Sequence, residues 1–145
     1  MEIEVRIKDG ENVVDKEVMH IEEDTPSMYA RIFDEVSPYW SNNRKENDMF
    51  IRVINDRMND LLIVRAKAYA EGKSSVKGHV YLNEVYEALG LPRVKYGYLV
   101  GWIFDENSRM SDNFIDFAVT RFEDSERDTI LLEFNVDGMI WNRIH

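Results

Sequence analysis

The sequence predicts an α+β fold: an antiparallel sheet of about four to six strands, one long and one short helix packed on it, and an N-terminal β-hairpin. Three observations carry this prediction. The stretch VYLNEVYEALGLPRVKYGYLVGW, residues 80–102, reads in turn as a short strand, an amphipathic helix, a glycine stop and a second strand. Apolar residues recur at helical spacing from Phe50 to Leu62, and segments of strand character lie on both sides of these helices.

The chain begins with strict alternation. Ile3, Val5 and Ile7 fall on one side and Glu2, Glu4, Arg6 and Lys8 on the other, as in a half-buried strand. Asp9-Gly10 is a turn signal, and an extended segment over residues 13–21 completes the hairpin assigned to residues 1–24. The spacing of Val14, Val18 and Ile21 also permits a helix there. Residues 22–26 read as a linker into a core that spans residues 28–145, and the whole chain, 1–145, is expected to form one domain. Residues 28–33 and Tyr39-Trp40 are expected to be extended and to form an irregular hairpin. They are separated by Asp34, Glu35, Ser37 and Pro38, and the residue before a proline avoids the helical region.

Asn43 followed by Glu46 resembles a capping box, which starts the long helix. Phe50, Val53, Ile54, Arg57, Met58, Leu61 and Leu62 continue it, and it can run on to Ala70 before the polar stop at residues 71–75. In the short helix, Leu82, Val85, Tyr86 and Leu89 share one face, with Asn83 as the expected cap. Gly90 suits a left-handed stop, Leu91 supplies the apolar contact that follows, and Pro92 cannot continue the helix. Further strands are expected at residues 98–104, 114–120 and 129–135. The polar separators 105–113 and 123–128 suit hairpin loops. Asp137-Gly138 turns the chain, and Met139, Ile140, Trp141 and Ile144 return to the core.

Composition narrows the chemistry. In 145 residues, twenty-eight Asp and Glu against eighteen Lys and Arg give a formal charge of −10, so the net field opposes direct binding to a nucleic-acid backbone. Cysteine is absent, which removes disulfides, thiolate zinc sites and cysteine nucleophiles and is compatible with a reducing compartment. No apolar run approaches the roughly 20 residues that span a bilayer, and the acidic start lacks a secretory signal, so no membrane association is expected.

No catalytic motif stands out. His20, His79 and His145 lack metal-ligand spacing, and there is no nucleophile elbow, phosphate-cradling loop or dinucleotide fingerprint. The acidic residues Asp105, Glu106, Asn107, Asp112 and Asp116 bring calcium ligands to mind, but Met110 stands where the calcium loop needs glycine. A solvated loop is expected instead. The carboxylate pairs Glu133 with Asp137, and Asp112 with Asp116, read as solvated faces in so acidic a chain. Neither a metal nor any other cofactor is therefore expected, and the chain is read as non-enzymatic. Two surface candidates remain. Glu123, Asp124, Glu126 and Asp128, with Asp105 and Glu106, form a candidate partner-binding acidic surface. Arg93, Lys95, Tyr96 and Tyr98 form a candidate anionic-ligand patch, where aromatic rings stand beside two cations.

The segments FDEVSPYW (33–40), YLNEVYEALGLP (81–92), VGWIFD (100–105), DNFIDF (112–117) and ILLEFNVDGMI (130–140) together resemble an uncharacterised family of bacteriophage and prophage proteins, a domain of unknown function. The similarity spans residues 33–144. It implies a phage origin and action in the host bacterial cytoplasm. Joined to the acidic charge, it leads to the expectation of an acidic protein that binds a host protein and inhibits a nucleic-acid-binding defence effector. Two alternatives stay open here: a virion assembly or structural accessory protein, and a sponge for a nucleotide signal held at Arg93 and Lys95.

Overall fold

A computed structural model describes residues 27–123 and 128–145. The N-terminal hairpin expected over residues 1–24 lies outside them, as do Asp124 and Glu126. The described elements are β1 (Arg31–Phe33), α1 (Arg44–Ala70), β2 (His79–Tyr81), α2 (Leu82–Leu89), a 3₁₀ turn (Lys95–Tyr98), β3 (Val100–Ile103), β4 (Val119–Glu123), β5 (Asp128–Leu132) and β6 (Gly138–Met139). The architecture is α+β, as the sequence predicts. Its strands divide into two antiparallel three-stranded sheets, ordered β1-β5-β4 and β2-β3-β6.

The long helix starts as its sequence indicates. The Asn43 side chain accepts hydrogen bonds from the Lys45 and Glu46 amides, while Glu46 turns its carboxylate to the Ser41 hydroxyl at 2.6 Å. Ile51, Ile54, Met58 and Leu62 form its buried face. Leu82, Val85, Tyr86 and Leu89 of α2 join them, together with Val80, Val100 and Trp102 of one sheet and Phe33, Ile130 and Leu132 of the other. The larger hydrophobic cluster thus lies between the helices and both sheets, and a smaller one gathers Ile103, Ile140 and Ile144.

Helix α2 ends as predicted. Gly90 has φ +78°, the Leu91 amide donates to the Tyr86 carbonyl at 2.8 Å, and the Gly90 amide donates to Glu87 at 3.1 Å, the paired bonds of a Schellman stop. Its start differs from expectation. Tyr81 is the cap residue, and its amide donates to the Glu84 carboxylate at 3.0 Å. Asn83 is buried, and its carboxamide makes two bonds of 2.9 Å to the Val94 backbone, one donated and one accepted. Gly97 lies directly against that carboxamide, where any Cβ would overlap it. The short polar residue that resembles a cap is instead a strut for the following loop.

Three other local expectations are corrected. Tyr39-Trp40 forms no strand. The Ser37 amide donates to the Asp34 carbonyl and the Trp40 amide to the Ser37 carbonyl, so consecutive turns occupy the segment. Residues 105–113 are no hairpin loop, because β3 and β4 belong to different sheets and the segment crosses between them. Residues 114–118 form no strand: Ala118 has φ +49°, the Glu133 and Asn135 amides donate to the Phe117 and Asp116 carbonyls, and α1 covers the other side. There, Asn55 and Asn59 of α1 donate to the Ile115 carbonyl, each at 2.8 Å, and accept from the Phe117 and Ile115 amides. These asparagines satisfy the backbone polar groups that a strand would otherwise pair.

Candidate functional site

A cleft of about 420 Å³ opens where α1, the loop after it, β2 and α2 meet. Arg65, Ser74, Lys77, His79, Tyr81 and Glu84 line it. Arg65 is held by a two-pronged pairing with Glu84, at 3.0 Å through each terminal nitrogen, and its Nη1 also donates to the His79 carbonyl at 2.9 Å. Glu84 accepts from Tyr81 as well, so its carboxylate joins the cap of α2 to the side chain of α1. Lys77 Nζ stands 3.4 Å from Asp105, and His79 Nδ1 lies 2.7 Å from the Lys77 carbonyl. The His79 and Tyr81 rings meet edge to face at 4.8 Å. Burial, then repulsion from Glu84, pushes the Tyr81 hydroxyl above its ordinary pKa.

Of the acidic partner-surface candidates, Asp105 follows β3 of one sheet and Asp128 begins β5 of the other. Asp105 pairs with Lys77 and also accepts from the Asn107 amide at 3.1 Å, while Glu106 is exposed beside it. Asp128 belongs to the other sheet. It receives Arg121 Nη1 at 2.6 Å and lies 3.8 Å from Arg44 Nε, and Arg121 also pairs with Asp48. The Glu123 backbone lies opposite Asp128 in the β4–β5 register.

Of the candidate patch Arg93, Lys95, Tyr96 and Tyr98, Arg93 and Tyr98 meet at Glu87, and Lys95 is exposed. Arg93 lies 3.4 Å from Glu87, which also accepts the Tyr98 hydroxyl at 3.0 Å. Tyr96 turns its ring to Tyr29 at 6.0 Å. Next to this group is a surface the sequence reading assigned to the core. The Ile140 and Trp141 amides both donate to the Leu99 carbonyl, and Val100 is paired with Met139. Ile140 is buried, whereas Tyr98, Leu99, Met139 and Trp141 remain between 39% and 54% exposed. Tyr98 and Leu99, which lead into β3, and Met139 and Trp141, in and just after the edge strand β6, are thus half-exposed where these segments meet, with Tyr98 beside Glu87.

The FNVDG segment acts as a structural clamp. Asn135 accepts from the Trp102 indole at 2.8 Å and the Asp116 amide at 2.7 Å, and it donates to Asp112 and the Phe114 carbonyl, both at 3.0 Å. Asp137 accepts from the Ile103 amide at 3.0 Å and the Asp112 amide at 3.4 Å. Burial raises its pKa despite those donors. Both carboxylate pairs weighed in the sequence therefore include a residue bound into this clamp. Sequence reasoning missed the cleft because Arg65 and Glu84 sit on different helices, and no spacing rule joins them. A signal was present at Glu84, the third residue of its helix, where a carboxylate reaches back to the cap.

Comparison with curated proteins and with solved structures yields no match. A family model described as a family of unknown function, DUF6353, matches residues 2–144, including N-terminal residues that the motif resemblance leaves out. The chain belongs to this family.

Proposed function

We propose that the domain is a non-enzymatic binding protein that engages a basic protein partner. The observation that carries this reading is the half-exposed group Tyr98, Leu99, Met139 and Trp141 at a sheet edge. Tyr, Trp and Met are enriched at the centres of protein interfaces, and Trp, Tyr and Arg supply most binding hot spots. Arg93 and Glu87 provide the polar rim. The formal charge of −10 supports a partner of opposite sign, because such a field speeds encounter with a basic surface and repels nucleic acid. The resemblance to phage and prophage proteins supports a host protein in the bacterial cytoplasm, and the basic groove of a nucleic-acid-binding defence effector has the required chemistry.

The test is affinity capture from infected host cells with the parent protein, with Trp141→Ala, and with Glu123, Asp124 and Glu126 neutralised to Gln or Asn while Asp128, paired with Arg121, is kept. A nucleic-acid-binding effector held by the parent, lost from Trp141→Ala and captured more slowly at low salt by the neutralised protein is the expected result. Recovery of capsid or tail components would establish the assembly reading. A partner bound equally by all three proteins at every salt concentration would refute both the surface and the steering.

A further inference from the structure

We propose that the cleft between α1, β2 and α2 is a binding site for a small organic anion, a carboxylate or phosphate ester carried on a flat ring, anchored by Arg65. The cleft adjoins the partner surface, since the Tyr81 ring meets that of Tyr98 at 5.9 Å, but the proposal does not rest on that surface binding a partner. The argument starts from the guanidinium, which has five N–H donors. Nη1 spends both of its donors, on the His79 carbonyl and on Glu84, and Nη2 spends one on Glu84. Among the described residues, the Nε–H and the second Nη2–H have no partner. These two lie along one edge of the planar group and form a second fork, the geometry that receives two oxygens of one carboxylate or phosphate. Because Glu84 and the His79 carbonyl already fix the guanidinium, little side-chain freedom is lost when that fork is filled.

The surroundings add to the fork. Lys77 directs one of its three donors at Asp105, over a long 3.4 Å, and keeps two. His79 has its Nδ1 at the Lys77 carbonyl, so Nε2 is the polar atom of the ring still open to a ligand. The crossed His79 and Tyr81 rings give the cleft an aromatic wall, against which a flat ring can pack. A volume of about 420 Å³ accommodates a ligand of that kind and lies in the usual range for small-molecule sites. Charge sets the class more narrowly. Arg65 and Lys77 are balanced by Glu84 and Asp105 within a chain of charge −10, so a polyphosphate is disfavoured and a small anion is the match.

The test uses the full chain in amide-resolved NMR titrations with benzoate, adenosine monophosphate and inorganic phosphate, each added alone. Two variants accompany the parent. Arg65→Lys removes the fork, and Ala68→Met fills the cleft from a helical position while leaving the Arg65–Glu84 pair in place. The expected result is saturable shifts at His79 and Tyr81, with a dissociation constant on the order of 1 mM or tighter, weakened at least about tenfold in both variants. A response to benzoate alone identifies a carboxylate ligand, and a response to adenosine monophosphate alone identifies a phosphate ester. Should Arg65→Lys fail to fold, Ala68→Met decides. Absence of shifts with all three probes, shifts remote from the cleft, binding of inorganic phosphate as tight as that of the ring-bearing probes, or undiminished binding in a folded variant would overturn the proposal.

Discussion

Replacing Asn135 with alanine should be among the most damaging changes available at a partly exposed position. The Trp102 side chain is fully buried, and its indole N–H donates to Asn135. Truncation leaves that donor orphaned away from water, at about 1–3 kcal/mol. The Asp116 amide, the Asp112 carboxylate and the Phe114 carbonyl lose their bonds too. Nearer the surface, each is partly rehydrated and contributes about 0.5–1 kcal/mol. The expected loss is therefore about 3–5 kcal/mol, a large share of the roughly 5–15 kcal/mol that stabilises a domain, with a fall in Tm of roughly 10–16 °C. Urea titration followed by circular dichroism and by tryptophan fluorescence measures it. Asn135→Asp separates the two halves of the clamp, because an acceptor for Trp102 survives while both donors are lost and a second carboxylate faces Asp112. A loss below about 1 kcal/mol for Asn135→Ala would refute the clamp.

Gly90→Val should cost roughly 1–2 kcal/mol or more in thermal unfolding, because φ +78° strains a β-branched residue and the added carbon would stand 2.8 Å from the Tyr39 ring. Leu89→Ala should cost about 2–5 kcal/mol in denaturant titration, since Leu89 is fully buried, and Leu61→Ala should cost less because Leu61 only borders the core. Asp137 has a folded pKa above its ordinary value of 3.8, so between those two values the folded state holds more protons than the unfolded chain. Its contribution to stability is therefore present at low pH and lost as pH rises through the folded value. Subtracting the pH–stability curve of Asp137→Asn from that of the parent should leave a component falling with pH in this window, and a rising component would contradict the assignment.

Elements governed by local rules were legible in the sequence. Asn43 caps a helix, Gly90 ends one, and the apolar stripe of α2 faces the core because each depends on residues within a turn or two of one another. Partner choice among strands was not legible. Residues 114–118 have strand composition, yet their backbone groups are taken by Asn55 and Asn59 from a helix more than fifty positions earlier. Asn83 misled for a related reason, since the same short amide that caps a helix can clamp the Val94 backbone when a glycine gives it room. The cleft depends on α1 and α2 crossing near Arg65 and Glu84, a fact of tertiary packing. Trp141 was assigned to the core on hydrophobicity, but its buried neighbour Ile140 occupies the inward side of that edge.

A division of labour among polar side chains makes the charge hypothesis testable. Many of the side-chain tethers to backbone in this fold are amides: Asn47 to Ser41, Asn55 and Asn59 to residues 115–117, Asn83 to Val94, and Asn135 to the crossing segment. An amide both donates and accepts without the desolvation cost of a buried charge, so it can satisfy a backbone amide and carbonyl together. Asp137 is an acidic exception, and its raised pKa is the mark of that cost. With the interior held chiefly by neutral groups, the surplus of carboxylates is left to the surface, where single charges contribute little to stability. Neutralising exposed acids should therefore alter the field a partner meets while leaving the core intact, except at Asp128, whose pairing with Arg121 ties the β4–β5 hairpin. A neutralised protein that keeps Asp128 and still associates more slowly at low salt, with unchanged unfolding, would isolate the field as the cause. Slower association accompanied by a lower unfolding midpoint would instead trace the defect to the hairpin.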